Sequence, residues 1–207
     1  MRADSRPGRG DPAIDEMRSR VLVAARSVLL EHAGAAGVSL DTIAARAGVA
    51  RTIVHQQFGS LAAVLEALFD RVVEQSCLSE LQRTFQLPDP IETLLEVVAV
   101  YAKFWDGERE LFRRLHAIAV FDVELRAALH RRAEQRRQSL SNLARRLAQL
   151  GLHLSADAQH ILCALTSFEL LDGVAGSERT IIQIAPLARA FARTAIPGGA
   201  PARFAGA

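Results

Sequence analysis

Apolar residues recur every three or four positions along almost the whole chain and do not alternate one by one over the length of a strand, so the chain is restricted to helices. Ile14, Met17, Val21, Ala24 and Val28 set the first stripe, behind an Asp11-Pro12 start with Asp15 and Glu16 in the first turn. The small residues from Ala33 to Gly37 break it. Ser39 then stands as an N-cap, with Asp41 near the positive end of a short second helix that ends at Ala47-Gly48. A third short helix is expected from Ala50 to Phe58, and Gly59-Ser60 should stop it and cap a fourth. Further breaks at Leu87-Pro88-Asp89-Pro90, Asp106-Gly107, Gly151 and Gly173 to Ser177 leave about five more helices. The expected fold class is all-α, with about nine helices.

The later helices differ in how much of their surface is apolar. A long helix starting near Asp122 carries Leu125, Leu129, Leu140, Leu143, Leu147 and Leu150 on one stripe. Its other faces hold Arg131, Arg132, Arg136, Arg137, Arg145 and Arg146, read as a solvated surface. The next helix, Ser155 to Asp172, has so little polar face that more than one side must be covered. Pro186 either kinks the last helix or starts it.

Composition closes off several classes. Of 207 residues 50% are hydrophobic and 23% charged, with Gly 13 and Pro 7, so the chain is neither disordered nor collagen-like. Its longest uncharged stretch, Thr52 to Leu65, falls short of the roughly 18 apolar residues of a membrane span. Arg2, Arg6 and Arg9 lack the apolar core of a signal peptide behind them. Cys77 and Cys163 are far apart and outside any CxxC pair, which fits a reducing cytoplasm and supplies neither disulfide framework nor zinc site. The net charge of +2 is uneven: residues 1–60 hold 8 Arg against 6 acidic groups, and residues 61–207 hold 17 charges of each sign. The excess at the N-terminal end is a weak pointer to a polyanion.

The segment Thr42-Ile43-Ala44-Ala45-Arg46-Ala47-Gly48-Val49-Ala50-Arg51 joins two short helices through a tight turn at Gly48. Ile43, Ala44, Ala47 and Val49 can pack the pair closely, which is the geometry that lets a second helix enter a DNA major groove while the first braces it. A helical hairpin inside any α-bundle could use the same string.

Residues 21 to 70 resemble the N-terminal domain of TetR-family transcriptional regulators: an N-terminal helix, Ile43-Ala44 with Ala47-Gly48-Val49, then Phe58-Gly59-Ser60 before a fourth helix. The resemblance implies a DNA-binding domain over residues 12–59 and a ligand-binding and dimerisation domain over residues 60–196. A disordered arm, residues 1–11, and a disordered tail, residues 197–207, flank them. It implies sequence-specific binding of duplex DNA by a homodimer, on a near-palindromic operator, as a repressor released by a small hydrophobic or aromatic effector. No cofactor, metal or membrane is implied. Two positions depart from the family pattern. His55 stands where Tyr is usual and Leu61 where Lys usually opens the fourth helix, and both usual residues grip phosphate. Arg2, Arg6 and Arg9 could compensate from a minor groove, as homeodomain arms do.

On the third helix, Arg51 has the donor fork that suits guanine or a phosphate, Thr52 offers a hydroxyl and a methyl, and Gln56 can pair with adenine. His55 and Gln57 can donate to phosphate oxygens, and the helix start at Ser39 can receive one. Val54 and Phe58 should face inward. For the effector, Tyr101, Phe104, Trp105, Phe112, His116, Phe121 and Phe168 are the candidate lining, although aromatic residues at helical spacing are more often core. Ile161, Leu165, Phe168, Leu187 and Phe191 are the candidate dimer surface. An enzyme or a partner-binding bundle without DNA binding is the alternative class. It finds little here: no Glu has a His three places later among Glu108, Glu110, Glu124 and Glu169, and HExxH, GxSxG and a P-loop are absent.

Overall fold

A computed structural model describes residues 12–31 and 37–196. The described residues form eleven α-helices and no strand: α1 (Pro12–Glu31), α2 (Leu40–Ala47), α3 (Arg51–Phe58), α4 (Leu61–Glu74), α5 (Leu81–Thr84), α6 (Pro90–Gly107), α7 (Arg109–Ala119), α8 (Val123–Gln149), α9 (Ala156–Leu165), α10 (Phe168–Ala175) and α11 (Ile181–Thr194). The chain divides into two compact units. One comprises the described residues up to Asp70 with Arg114–Arg126, the other Arg71–Arg113 with the described residues from Ala127 onward. The expected arm and tail lie outside the described residues.

In the first unit the local chemistry at the ends of α2 and at the start of α4 is visible in the chain. Ser39 caps α2 by accepting from the Thr42 backbone N–H, and the Thr42 hydroxyl oxygen accepts in turn from the Ser39 N–H. Gly48 closes α2 at φ 66°, a left-handed conformation that costs an L side chain about 1 kcal/mol or more. The Ser60 hydroxyl accepts from the Ala63 N–H at the start of α4. Ile43, Val54, Val21, Ala25 and Leu29 are all buried, so α1, α2 and α3 share one small apolar core.

The second unit is built around α6, which Asp89 caps and Pro90 opens, and along which α11 lies. The single helix expected from Ser155 to Asp172 is two helices, α9 and α10. The cause is the hydroxyl pair between them. The Thr166 hydroxyl donates back to the Leu162 and Cys163 carbonyls, and the Ser167 hydroxyl accepts from the Leu170 N–H as a new N-cap. Thr and Ser offer the backbone these local alternatives to a continuing helix, and here the Trp105 indole N–H takes the Thr166 carbonyl at 2.9 Å. Pro186 does not start α11. A Thr180–Gln183 capping box starts it at Ile181, and the helix passes through Pro186 near its first turns. A 3-10 turn at Cys77–Glu80 and the one-turn α5 carry no stripe long enough to be read from periodicity.

Candidate nucleic-acid interface

α3 presents Arg51, Thr52, Ile53, His55 and Gln56 to solvent, while Val54 is wholly buried beneath them. The helix has only eight residues, so two turns carry both faces. Its inward residue falls at Val54, and the positions on either side, about 100° around the helix, must point out. Four of the six candidate DNA contacts, Arg51, Thr52, His55 and Gln56, therefore share one exposed surface. Gln57 is half-buried, and its backbone carbonyl accepts from Arg18 at 2.8 Å. Ser39 is also half-buried and its hydroxyl is already the α2 cap, so what it offers a phosphate is mainly the N-terminus of α2.

Ile53 is a residue of this face that sequence reasoning does not single out. It is 42% exposed, where a branched apolar side chain can only meet a thymine methyl or another apolar group. Its angular distance from Val54 is the available signal. Asp41 is a second: its carboxylate lies 3.2 Å from Arg51 Nε. Leu61, at the α4 start, is half-buried and packs rather than binds anions.

The other candidate sets lie elsewhere. Phe104, Trp105, Phe112 and Phe168 form one aromatic cluster with ring centroids 4.5 to 5.7 Å apart, mostly tilted or edge-on. Tyr101 is buried close by on α6, and burial pushes its phenol above the ordinary value despite the charge of Arg136. Phe121 is 84% exposed in the first unit, and His116 is half-buried there. Arg136 departs from the solvated face expected of α8. Its Nε is buried without a hydrogen-bond partner among the described residues, and burial lowers its pKa. Burial likewise raises the Cys77 and Cys163 thiols. Among the described residues no His, Cys, Asp and Glu group is arranged to hold a metal, and no helix is long and apolar enough to cross a membrane.

On α9, α10 and α11, Ile161, Leu165, Leu170, Val174, Leu187 and Phe191 line an apolar groove of about 310 Å³. Ile161 and Phe191 are 44% and 47% exposed, whereas Leu165 is nearly buried and Phe168 belongs to the aromatic cluster.

Residues 21–68 match the family model of bacterial regulatory proteins, tetR family. No curated protein matches the chain in sequence. Among solved structures, the transcriptional regulator FadR from Bacillus subtilis, in complex with stearoyl-CoA, is similar with a TM-score of 0.66 and 16% identity, over 83% of this chain and 95% of that one. NalD from Pseudomonas aeruginosa, the secondary repressor of the MexAB-OprM multidrug efflux pump, gives a TM-score of 0.63 and 20% identity over 90% and 98%. A TetR-like transcriptional regulator from Rhodococcus sp. RHA1 gives 0.59 and 20% over 90% and 96%. At these identities the neighbours show the fold, and the family match is confined to residues 21–68, the segment whose caps, Gly48 turn and exposed α3 face have helix-turn-helix geometry. Over residues 21–68 the chain is similar to the bacterial regulatory proteins of the tetR family, and over most of its length it has the fold of the solved regulators.

Proposed function

We propose that the chain is a ligand-responsive transcriptional repressor, a homodimer that reads a near-palindromic operator through α3 and leaves it when a small hydrophobic effector binds the second unit. The observation that carries the reading is the recognition face: a guanidinium fork, a hydroxyl, an amide, an imidazole and a branched methyl group on one exposed side of an eight-residue helix whose other side is core. That mixture reads base edges and phosphates, and it serves no packing purpose. The apolar groove on α9 to α11 favours a second copy of the chain as its occupant. Exposed Ile161, Leu170, Val174 and Phe191 converge there with no charged side chain in the lining, which is the core composition of a homodimer interface.

Two-fold symmetry then presents two copies of α3, and the half-sites lie about one helical turn apart, roughly 34 to 36 Å. For the effector, the aromatic residues of α6, α7 and α10 supply an apolar lining, and Arg136 supplies an unpaired donor toward a polar group. Binding shifts the protein between a DNA-competent and a released arrangement by its differential affinity for the two.

Selection from random duplexes at low salt tests the central reading. Enrichment of one near-palindrome is expected, and no enriched sequence defeats it. A thermal-shift panel of apolar compounds and of amphiphiles such as a long-chain acyl-CoA then finds the effector as the one that raises Tm and lowers operator affinity together.

A further inference from the structure

Two arginines of α1 hold the carboxyl ends of both helices of the motif. Arg20 Nη2 donates to the Ala47 carbonyl at 2.5 Å and to the Gly48 carbonyl at 3.3 Å, at the end of α2. Arg18 Nη1 donates to the Gln57 carbonyl at 2.8 Å, at the end of α3, and its guanidinium lies 4.3 Å from the centre of the Phe58 ring. The last carbonyls of a helix have no partner within it and carry its negative dipole end, so a cation there is favourable on both counts. Residues two apart on a helix leave it about 200° apart. Arg18 and Arg20 therefore reach different helix ends from a single turn of α1.

The turn leaves room for this guanidinium. A Cβ built on Gly48 would stand 3.2 Å from Arg20 Nη2, tighter than ordinary packing, at a φ of 66° that already disfavours any side chain. Glycine at this position admits the guanidinium as well as the turn. The backbone leaves few other ties to do this work. Gly59 N–H takes the His55 carbonyl, and Gly48 and Val49 take those of Ala45 and Ala44, so Arg18 and Arg20 satisfy carbonyls that α2 and α3 do not.

We propose that Arg18 and Arg20 are positioning residues for operator recognition: from α1 they fix the angle at which α3 is presented, without themselves touching DNA. The inference rests on the reading of α3 as the DNA-reading helix. A guanidinium engaged with a carbonyl and a ring, as Arg18 is, is not a free phosphate ligand, and its removal changes the aim of the whole recognition face rather than the grip on a single phosphate.

The test uses the full chain and the selected operator. Arg18→Met and Arg20→Met keep the apolar stem and remove the donor, and Arg18→Lys and Arg20→Lys restore one donor and the charge. At a temperature where circular dichroism shows each variant folded, the Met variants are expected to bind the operator about tenfold to a hundredfold more weakly, the size of one charged hydrogen bond. Affinity for unrelated duplex and the salt slope stay unchanged, and repeated selection shows preference relaxed at all α3-read positions together. The Lys variants recover most of the affinity. A salt slope shallower by about 0.9 for either Met variant identifies a phosphate ligand and overturns the proposal. A lowered Tm with operator affinity intact also overturns it, as a purely structural role. Failure of the wild-type chain to select any sequence is a different result, which removes the DNA-reading assignment beneath it.

Discussion

Arg51 Nε and Asp41 Oδ1 stand 3.2 Å apart, an ion pair between the two helices of the motif with both side chains 64% exposed. So exposed a pair contributes little stability, and DNA can displace or reorient it cheaply. The carboxylate meets the guanidinium at Nε rather than at its Nη groups. Replacing Arg51 with Ala is expected to cost about 1 to 3 kcal/mol on the preferred operator and to relax preference at one base pair. Asp41→Asn removes a negative charge from the recognition surface, so binding to unrelated duplex strengthens and the ratio of operator to unrelated affinity falls. Gel-shift titrations on both duplexes check the two variants. Equal weakening on all duplexes by Arg51→Ala makes Arg51 a phosphate ligand instead.

The arm is testable from its charge alone. Deleting residues 1–11 removes Arg2, Arg6 and Arg9, and operator affinity should fall with little change in preferred sequence. The slope of log affinity against log salt should become shallower by about 0.9 for each phosphate that the arm had neutralised. An unchanged slope assigns the arm no phosphate, and leaves the absence of Tyr at His55 and Lys at Leu61 uncompensated there.

Phe191, 47% exposed on the groove of α9 to α11, is the position at which to test the proposed dimer. Phe191→Arg places a charge on that face without opening the core and is expected to yield a folded monomer, with operator binding much weakened. Leu165 is 7% exposed, so a charge there tests folding rather than association. Light scattering at micromolar concentration reads the result, and a persistent dimer of normal mass moves the interface elsewhere.

Asp172 on α10 ties down the start of α7. Its carboxylate takes Arg109 Nε at 2.5 Å and Arg113 Nη2 at 2.9 Å, while Arg109 also donates to the carbonyls of Gly176 and Arg179. Burial alone raises the Asp172 pKa, but the hydrogen bonds from Arg113 and Arg109 outweigh it and hold the value below the usual carboxylate. A carboxylate lowered in the native state stabilises it above its unfolded pKa, about 4, and that contribution drains away as pH falls through the native value. Asp172→Asn should cost about 2 kcal/mol near neutrality, and its stability should fall less steeply than wild type below about pH 4. Denaturant melts across pH 2 to 7 measure both. Parallel curves for the two proteins reject the assignment.

Much of the motif is local and therefore legible in the chain. Ser39 and Thr42 cap each other three residues apart, Gly48 and Gly59 sit at positive φ where a helix must end, and Val54 turns the exposed residues of α3 outward. Each of these depends on partners within a few positions, which is the range that periodicity and capping chemistry encode. The remaining decisions involve residues far apart in the chain. Trp105 reaches 61 positions to the carbonyl of Thr166 at the break between α9 and α10, and Asp172 gathers two arginines some 60 positions away. The sequence alone assigned Arg136 to a solvated face because helical spacing says which residues share a side. Only the tertiary structure decides whether that side meets water. In the same way, Arg18 and Arg20 are ordinary charged positions of an amphipathic helix until folding brings the carbonyl ends of α2 and α3 within reach of their guanidinium groups.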